Sequence, residues 1–281
     1  MRHNRITFLA VVVFIVLSAV ILMAAKGQKS SDVAMPNTTT PSPSITNSPL
    51  RSNNILVESP LQNTQISNPV TVRGEARTFE NTVIIRLVQD DGRVLAEDFT
   101  TADAKDIGQF GAFEIQLFYS APTQNSGKIE VFQYSAKDGS EIDKVLIPVR
   151  LSTNDQITVN VYFTNERDSQ ECENVSGVQR IIPRTQQTAR AALLQLLRGT
   201  TTDEEKNGLR TNINKGVRIQ KLNIEKGVAR VDFDDTLQVG VAGSCRVLAI
   251  RAQIIQTLLQ FDTIDSVVIS INGKTEDILQ P

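Results

Sequence analysis

The residues best suited to chemistry in this sequence are three carboxylates that end a strand-like stretch, Asp232, Asp234 and Asp235. Carboxylates this close together could ligate calcium or supply the acid and base of a glycoside hydrolase. The calcium loop requires D-x-[DN]-x-[DN]-G, whereas Thr236 and Leu237 follow here without a glycine. A hydrolase needs a second carboxyl with a raised pKa in a cleft. The simpler interpretation is that these carboxylates cap the loop after the strand.

Two arginines, Arg246 and Arg251, lie on or beside the polar face of a long helical stretch that follows. Their side chains could bind a glycan or a partner protein, or could be solvated residues of an exposed face. Together with Asp232 and Asp234 they form the set of candidate binding residues. No catalytic residue is predicted.

The cysteines, Cys172 and Cys245, are 73 residues apart and form neither a CxxC motif nor a zinc pattern. In an exported protein the two would form one disulfide, and in a cytosolic protein they would be two buried thiols. A redox-active or metal-binding pair is the functional alternative. We predict the disulfide, which would tie the loop after a first strand to the start of the long helix.

Charge and histidine content exclude several classes of function. Residues 55–151 hold 14 acidic and 9 basic residues, and residues 155–281 hold 16 and 15, so neither half attracts nucleic acid. The single histidine, His3, precludes a Ser-His or Cys-His pair and a multi-histidine zinc site in the body of the chain. No P-loop or dinucleotide fingerprint is present. We therefore expect no metal and no cofactor.

The N-terminal segment predicts a membrane anchor. Residues 6–25 are 20 residues long and uncharged, which is enough to cross about 30 Å of hydrocarbon as a helix. A cleavable signal peptide is the alternative, but its apolar core would be unusually long and Met23-Ala24-Ala25 is a poor cleavage site. We predict an uncleaved single-pass anchor at the cell membrane, with residues 1–5 in the cytoplasm and the bulk of the chain outside.

Two further composition changes divide the rest of the chain. Residues 26–54 are rich in Pro, Thr, Ser and Asn and predict a disordered linker. From residue 55 to residue 151, short alternating stretches are separated by turns such as Asp91-Gly92 and Asp138-Gly139. This pattern is typical of a β-sandwich with about seven strands.

Residues 155–281 predict an α/β domain. Helical spacing at 185–198 ends at Gly199, and Thr201 to Glu204 has the pattern of a capping box. A second helix is predicted at 245–260, with Ser244 as its N-cap. The predicted strands are residues 157–163, 217–224, 228–233 and 266–271. The predicted order is β-α-β-β-α-β, one layer of sheet with two helices on a face.

Both halves resemble known families. The stretch SPLQNTQISNPVTVRGEARTFENTVIIRLVQDDGRVL, with GQFGAFEIQLFYSAP and VFQYSAKDGSEIDKVLIPVRL, resembles the immunoglobulin-like domain of bacterial spore germination proteins. The stretches TARAALLQLLRGTTTDEEKNGL, GVARVDF, GSCRVLAIRAQIIQTLLQF and VVISINGKTEDILQP are similar to the GerMN domain of sporulation and spore germination. Gly199-Thr200-Thr201 stands where the family often has Gly-Pro-Thr.

These resemblances imply an α+β multidomain protein of the envelope. The expected order is a transmembrane helix, an immunoglobulin-like β-sandwich at 55–151 and a GerMN domain at 155–281. Such domains are regarded as non-catalytic, which implies a scaffold or binding module for peptidoglycan or envelope proteins, and the α/β module is expected to self-associate. The alternative is a cell-wall glycan hydrolase that uses Asp232 or Asp234.

Overall fold

The computed structural model describes residues 49–106, 108–168 and 171–280. The predicted membrane helix at 6–25 and most of the predicted linker lie outside these residues. Among the helices of the described ranges, none combines the length and apolar character needed to cross a membrane.

The described residues contain fifteen strands and three α-helices, numbered in chain order. The strands are β1 Leu50–Arg51, β2 Ile55–Ser59, β3 Thr64–Gln65, β4 Val70–Ala76, β5 Thr82–Gln89, β6 Val94–Thr101, β7 Gly111–Leu117, β8 Ser126–Tyr134, β9 Glu141–Arg150, β10 Gln156–Asn165, β11 Val175–Pro183, β12 Leu209–Arg210, β13 Ile219–Glu225, β14 Val228–Phe233 and β15 Ser266–Ile271. The helices are α1 Thr188–Leu197, α2 Thr202–Lys206 and α3 Ser244–Leu259.

Strands β1 to β9 form the predicted β-sandwich. One sheet has the order β1-β2-β4-β7 and the other β3-β9-β8-β5-β6. Alternation along the strands explains the packing, since Phe113 and Leu117 of β7 are buried while Glu114 between them is exposed. Residues of both sheets share one hydrophobic core. We predicted about seven strands, and the short β1 and β3 were missed because two residues show no alternation.

The outer face of the five-stranded sheet carries a paired ionic cluster. Arg86 forms ion pairs with Glu97, Glu130 and Glu141. Lys144 pairs with Glu130 and Glu141, so each cation has more than one carboxylate partner. The guanidinium of Arg86 lies 4.6 Å from the ring centroid of Phe132. We call these five charged residues, together with Phe132, the ionic cluster.

The α/β half contains more strands than the predicted β-α-β-β-α-β order. Strand β11 follows β10 directly and pairs with it antiparallel, and the strands form two sheets with the orders β11-β10-β12 and β13-β14-β15. β11 was missed because it contains Gly177 and ends at Pro183, residues that weaken a strand prediction. A Cβ on Gly177 would lie 3.2 Å from the ring of Tyr162, so the glycine lets that ring pack on β11.

The helices and turns of this half follow the sequence closely, with one exception. The capping box of α2 is confirmed, with Thr201 and Glu204 exchanging hydrogen bonds. The hairpin between β13 and β14 turns at Lys226-Gly227, both with positive φ, as a two-residue turn requires. The prediction of Ser244 as an N-cap is wrong. Gly243, with φ 85°, precedes the helix, and no side chain caps it.

Helix α3 runs along the edge of β10 that β12 covers only in part. β12 pairs with β10 at Thr164 and Asn165 alone. Further along β10, Gln260 accepts a hydrogen bond from the Asn160 amide and donates one to its carbonyl, and Thr257 accepts one from the Tyr162 amide. Neutral side chains of α3 and of Gln260 directly after it therefore make the hydrogen bonds that a neighbouring strand would otherwise make with β10. We call this contact the α3–β10 seam.

The buried Gln253 continues this seam. Its amide nitrogen donates to the Thr164 hydroxyl, the Arg210 carbonyl and the Asn212 side chain, and its carbonyl accepts from the Asn212 amide. The predicted disulfide closes the adjacent end of the domain, because Cys172 lies between β10 and β11 and Cys245 lies in the first turn of α3. That disulfide is confirmed.

Candidate functional site in the groove between the domains

The predicted binding carboxylate Asp232 has structural partners. One of its oxygens accepts hydrogen bonds from the Ser270 hydroxyl at 2.6 Å and from the Gly273 amide at 2.8 Å. Both partners belong to β15 and the turn after it, so Asp232 fastens that turn to β14.

Asp234 has a different task. Its carboxylate accepts hydrogen bonds from the backbone amide of Arg218 at 3.1 Å and from the Thr236 hydroxyl at 3.2 Å. The bond to the Arg218 amide fixes the segment that enters β13. Asp234 therefore positions Arg218, whose side chain extends toward the sandwich.

The two predicted arginines are also engaged by the protein itself. Arg246 donates to the Asn214 side chain at 2.7 Å and to the carbonyls of Asn212 and Gly240. Arg251 donates to the Ile278 carbonyl at 3.1 Å and so holds the C-terminal segment. Across the described part of the chain, no hydrogen bond or ion pair joins any two of Asp232, Asp234, Arg246 and Arg251.

Metal binding has no support in the described ranges, since they contain no group of three His, Cys, Asp or Glu side chains placed to hold an ion. This includes the run from Asp232 to Asp235. The side chains predicted to bind thus serve the fold at separate places, and the candidate site lies elsewhere.

The edge of β6, which has no further strand of the described residues beside it in its sheet, faces the α/β domain. β6 ends the order of one sandwich sheet and β7 ends the other. Arg198, directly after α1, donates to the Leu95 carbonyl of β6 at 2.9 Å and to the Ser120 hydroxyl. Arg218 donates to the Phe99 carbonyl at 3.0 Å and pairs with Asp98 at 2.8 Å. The α/β domain therefore covers the edge of β6 with guanidinium groups.

Apolar contacts complete this junction. Phe118 of the sandwich packs against a cluster of buried residues in the α/β domain that includes Ile182, Ala191 and Ala192. The guanidinium of Arg218 stacks on Phe99 with 3.8 Å to the ring centroid. The two domains are joined by packed side chains as well as by polar contacts.

A groove of about 610 Å³ remains along the junction and is open to solvent. One wall is the face of α1 that carries Arg190, Leu194 and Arg198, and the opposite wall is formed by β6 and β7. Arg190 donates to the Ile219 carbonyl at 2.9 Å, and its guanidinium lies 5.8 Å from the ring centroid of Phe118. We call this site the arginine groove.

The surroundings of Arg190 and Arg198 disfavour positive charge. Desolvation lowers the pKa of Arg190 below its ordinary value, and the charge of Asp98 opposes that effect. Desolvation also lowers the pKa of Arg198, and the positive charge of Arg93 lowers it further. The Arg198 side chain is nevertheless exposed to solvent. It lines a concave groove, so much protein lies around it although water can still reach it. Its accessible surface decides whether a ligand can reach it.

Three carboxylates line the groove beside its three arginines, and none of them forms an ion pair with Arg190 or Arg198 in the described residues. Glu97 pairs with Arg86 of the ionic cluster, and Asp98 pairs with Arg218. Glu114 lines the wall opposite α1. Within the described residues, neither Arg190 nor Arg198 forms an ion pair. A guanidinium is a fork of donors suited to carboxylate and phosphate, so the groove can bind oxyanions.

Sequence reasoning identified none of these groove arginines. Arg190, Leu194 and Arg198 recur at intervals of four on one helical face, and that spacing was the available signal. The buried stripe of α1, with Ala189, Leu193 and Leu196, is the stronger pattern in the same helix. That α1 faces a second domain could not be read from one domain's periodicity.

Comparison with known proteins confirms both resemblances noted in the sequence. Residues 54–140 match the family model for the immunoglobulin-like domain of bacterial spore germination. Residues 160–277 match the family model for sporulation and spore germination. No curated protein matches the chain.

Solved structures similar to the chain include two from one sporulation protein. The first GerMN domain of GerM from Bacillus subtilis is 24% identical, covering 42% of this chain and 85% of its own, with a TM-score of 0.34. The tandem GerMN domains of the same protein are 22% identical, covering 44% of this chain and 41% of theirs, with a TM-score of 0.37.

Proposed function

We propose that this chain, which contains an immunoglobulin-like domain of bacterial spore germination followed by a sporulation and spore germination domain, is a non-catalytic scaffold or binding module of the cell envelope. Its expected partners are peptidoglycan or other envelope proteins. The junction at β6 carries this proposal, because the contacts of Arg198, Arg218 and Phe118 join the two domains. Joined domains present one combined surface to a partner.

Anchoring is part of the same proposal. Residues 6–25 span the membrane once, and residues 26–48 tether the folded part, because the last residues of the linker predicted at 26–54 form β1 and its connection to β2. The tether reaches between about 25 Å as a coil and about 70 Å fully extended. The Cys172–Cys245 disulfide supports an oxidising location outside the cytoplasm. The α/β domain is further expected to associate with copies of itself, which sedimentation at several concentrations would measure.

The hydrolase alternative gains no support from the geometry. Asp232 and Asp234 are held by Ser270, Gly273, Thr236 and the Arg218 amide, and both lie at the end of β14. An acid–base pair acting on a glycan needs carboxyls that face a substrate cleft.

Co-sedimentation with purified cell-wall sacculi tests the proposal. The chain from residue 49, which keeps β1, is incubated oxidised and reduced, and the pelleted fraction and any released glycan fragments are measured. We expect pelleting without release, and loss of pelleting on reduction would assign binding to the disulfide-closed domain. Failure to pellet would contradict a wall-polymer partner and leave an envelope protein. Release that disappears in the Asp232→Asn, Asp234→Asn double variant would replace the scaffold by a hydrolase.

A further inference from the structure

We propose that the arginine groove binds oxyanion groups, phosphate diesters or carboxylates, of an acidic envelope polymer through Arg190 and Arg198. This inference rests on the proposed function and specifies the ligand chemistry of that binding module. It concerns residues outside the predicted set of Asp232, Asp234, Arg246 and Arg251.

The arginines of the groove differ in the charge of their partners. Arg218 has a carboxylate partner in Asp98, with 2.8 Å between the charged atoms. Arg198 instead donates to the Leu95 carbonyl, the Ser120 hydroxyl and, at 3.5 Å, the Gln195 side chain, all of them neutral acceptors. A charge-assisted hydrogen bond to an anion is stronger than one to a neutral acceptor. A bound oxyanion would therefore supply the charged partner that Arg198 lacks among the described residues.

Arg190 keeps N–H donors that a ligand can use. A guanidinium has five N–H donors in a planar fork. The contacts of Arg190 within the described residues use one nitrogen, which donates to Ile219, and the Phe118 ring lies against the guanidinium. An oriented fork with free donors loses less conformational entropy on binding than a mobile lysine would.

The spacing of Arg190 and Arg198 favours a polymer over a single small ion. Arg190 and Arg198 are eight residues apart on α1 and its C-cap, which corresponds to about 12 Å along the helix axis at about 1.5 Å per residue. The two guanidinium groups are also held on different carbonyls, Arg190 on that of Ile219 and Arg198 on that of Leu95, which favours one anionic group for each arginine. A chain with repeated anionic groups can supply both, and the groove is open enough to admit a segment of one.

Calorimetric titration of the full-length chain in non-ionic detergent at low salt tests the proposal. The probes are a glycerol-phosphate oligomer, a glutamate oligomer of similar length and a neutral glycan oligomer. We expect one or both acidic oligomers to bind and the neutral one not to bind. The arm that binds identifies the oxyanion as phosphate or carboxylate.

Variants assign that binding to the groove. Arg190→Gln should weaken binding about tenfold, the usual effect of losing one charge-assisted contact. Arg190→Lys, which keeps the charge without the fork, should weaken it less. Arg230→Gln is the matched control, because Arg230 is an exposed residue of β14 outside the groove lining and its loss changes the net charge equally. The affinity of the Arg230→Gln variant for the acidic oligomer should stay within about twofold of that of the wild type.

Two results would overturn the proposal. Equal weakening by Arg190→Gln and Arg230→Gln would show that binding follows net charge, and absence of binding by both acidic oligomers would show that the groove takes no oxyanion chain. Thermal unfolding of each variant verifies that the fold is kept. If the wild-type chain still pelleted with sacculi in either case, the proposed binding module would stand and only its assignment to the groove would fail.

Discussion

The α3–β10 seam and the arginine groove solve the same structural problem with different chemistry. In each, side chains of a neighbouring element complete the hydrogen bonds of an uncovered strand edge. At the seam, neutral Gln253, Thr257 and Gln260 do so, and Gln253 and Thr257 are fully buried. At the groove, Arg198 and Arg218 do so beside open solvent.

The difference separates stability from recognition. Neutral amides satisfy a buried edge without the desolvation cost of a charge, and their donors and acceptors are used by the protein itself. Guanidinium groups at an open edge keep donors and charge that a ligand can use. We therefore expect changes at the seam to affect stability mainly, and changes at the groove to affect binding mainly.

The largest effect should come from the disulfide beside the seam. Replacing Cys172 and Cys245 together by serine removes a cross-link across 73 residues. The chain-entropy relation gives a loss of about 4 kcal/mol in the free energy of unfolding. Denaturant unfolding of the variant against the oxidised wild type measures it. A loss below about 1 kcal/mol would mean that α3 is held on β10 without the cross-link.

Gln253→Ala should have the next largest effect. It removes a fully buried side chain and leaves the half-buried Arg210 carbonyl and Asn212 amide without this partner, which should cost about 3 kcal/mol in the free energy of unfolding. Gln256→Ala, the same change at an exposed position of the same helix, should change stability by less than about 0.5 kcal/mol. Equal effects of the two variants would contradict a stabilising polar seam.

Arg218→Ala tests the junction and should have a smaller effect on stability. The pair with Asp98 is about two-fifths exposed, at 37% and 42% of side-chain surface, so solvent screens it. Together with the stack on Phe99 we expect a loss of about 1 kcal/mol. A double-mutant cycle with Asp98→Asn isolates the pair. A coupling energy of zero would assign the contribution of Arg218 to Phe99 and its carbonyl.

The ionic cluster gives the smallest predicted effect and shows how paired charges behave. Hydrogen bonds from Arg86 and then from Lys144 lower the pKa of Glu141 from 4.5 to about 2. Because the folded-state pKa is the lower one, the unfolded chain takes up the proton first as the pH falls. Glu141 therefore stabilises the fold above about pH 4.5, and this contribution disappears toward about pH 2.

Melting temperatures between pH 6 and pH 2 compare wild type with Glu141→Gln to check this. The wild type should be slightly more stable near neutral pH, and the two curves should converge in acid. Parallel curves would contradict the role of Glu141. Arg190→Gln, in contrast, should leave the pH dependence of the melting temperature like that of the wild type, because its expected effect is on ligand affinity.

Local pattern was enough to predict much of the fold. The alternation of β7, the capping box at Thr201 and the turn at Asp91-Gly92 each depend on residues close in sequence, and the structure has all three. β11 was missed because Gly177 is explained by the ring of Tyr162 on another strand. Ser244 failed as an N-cap because Gly243 already supplies the turn into α3.

The site was less accessible from sequence, for a related reason. Asp234 stood out as one of a carboxylate cluster, yet its described role is to hold the backbone of Arg218. Arg190 and Arg198 resembled ordinary helical surface residues, because what distinguishes them is the β6 edge of another domain. A property created by contact between domains leaves little trace in the pattern of either domain.

The measurement that tests the account most directly is the pelleted fraction with sacculi for three proteins, which are the wild type, the Arg190→Gln, Arg198→Gln double variant and Asp232→Asn. We predict that the wild type and Asp232→Asn pellet alike and that the groove variant stays in the supernatant while melting as a folded protein. Pelleting of the groove variant together with loss by Asp232→Asn would contradict the account and return the binding site to the end of β14.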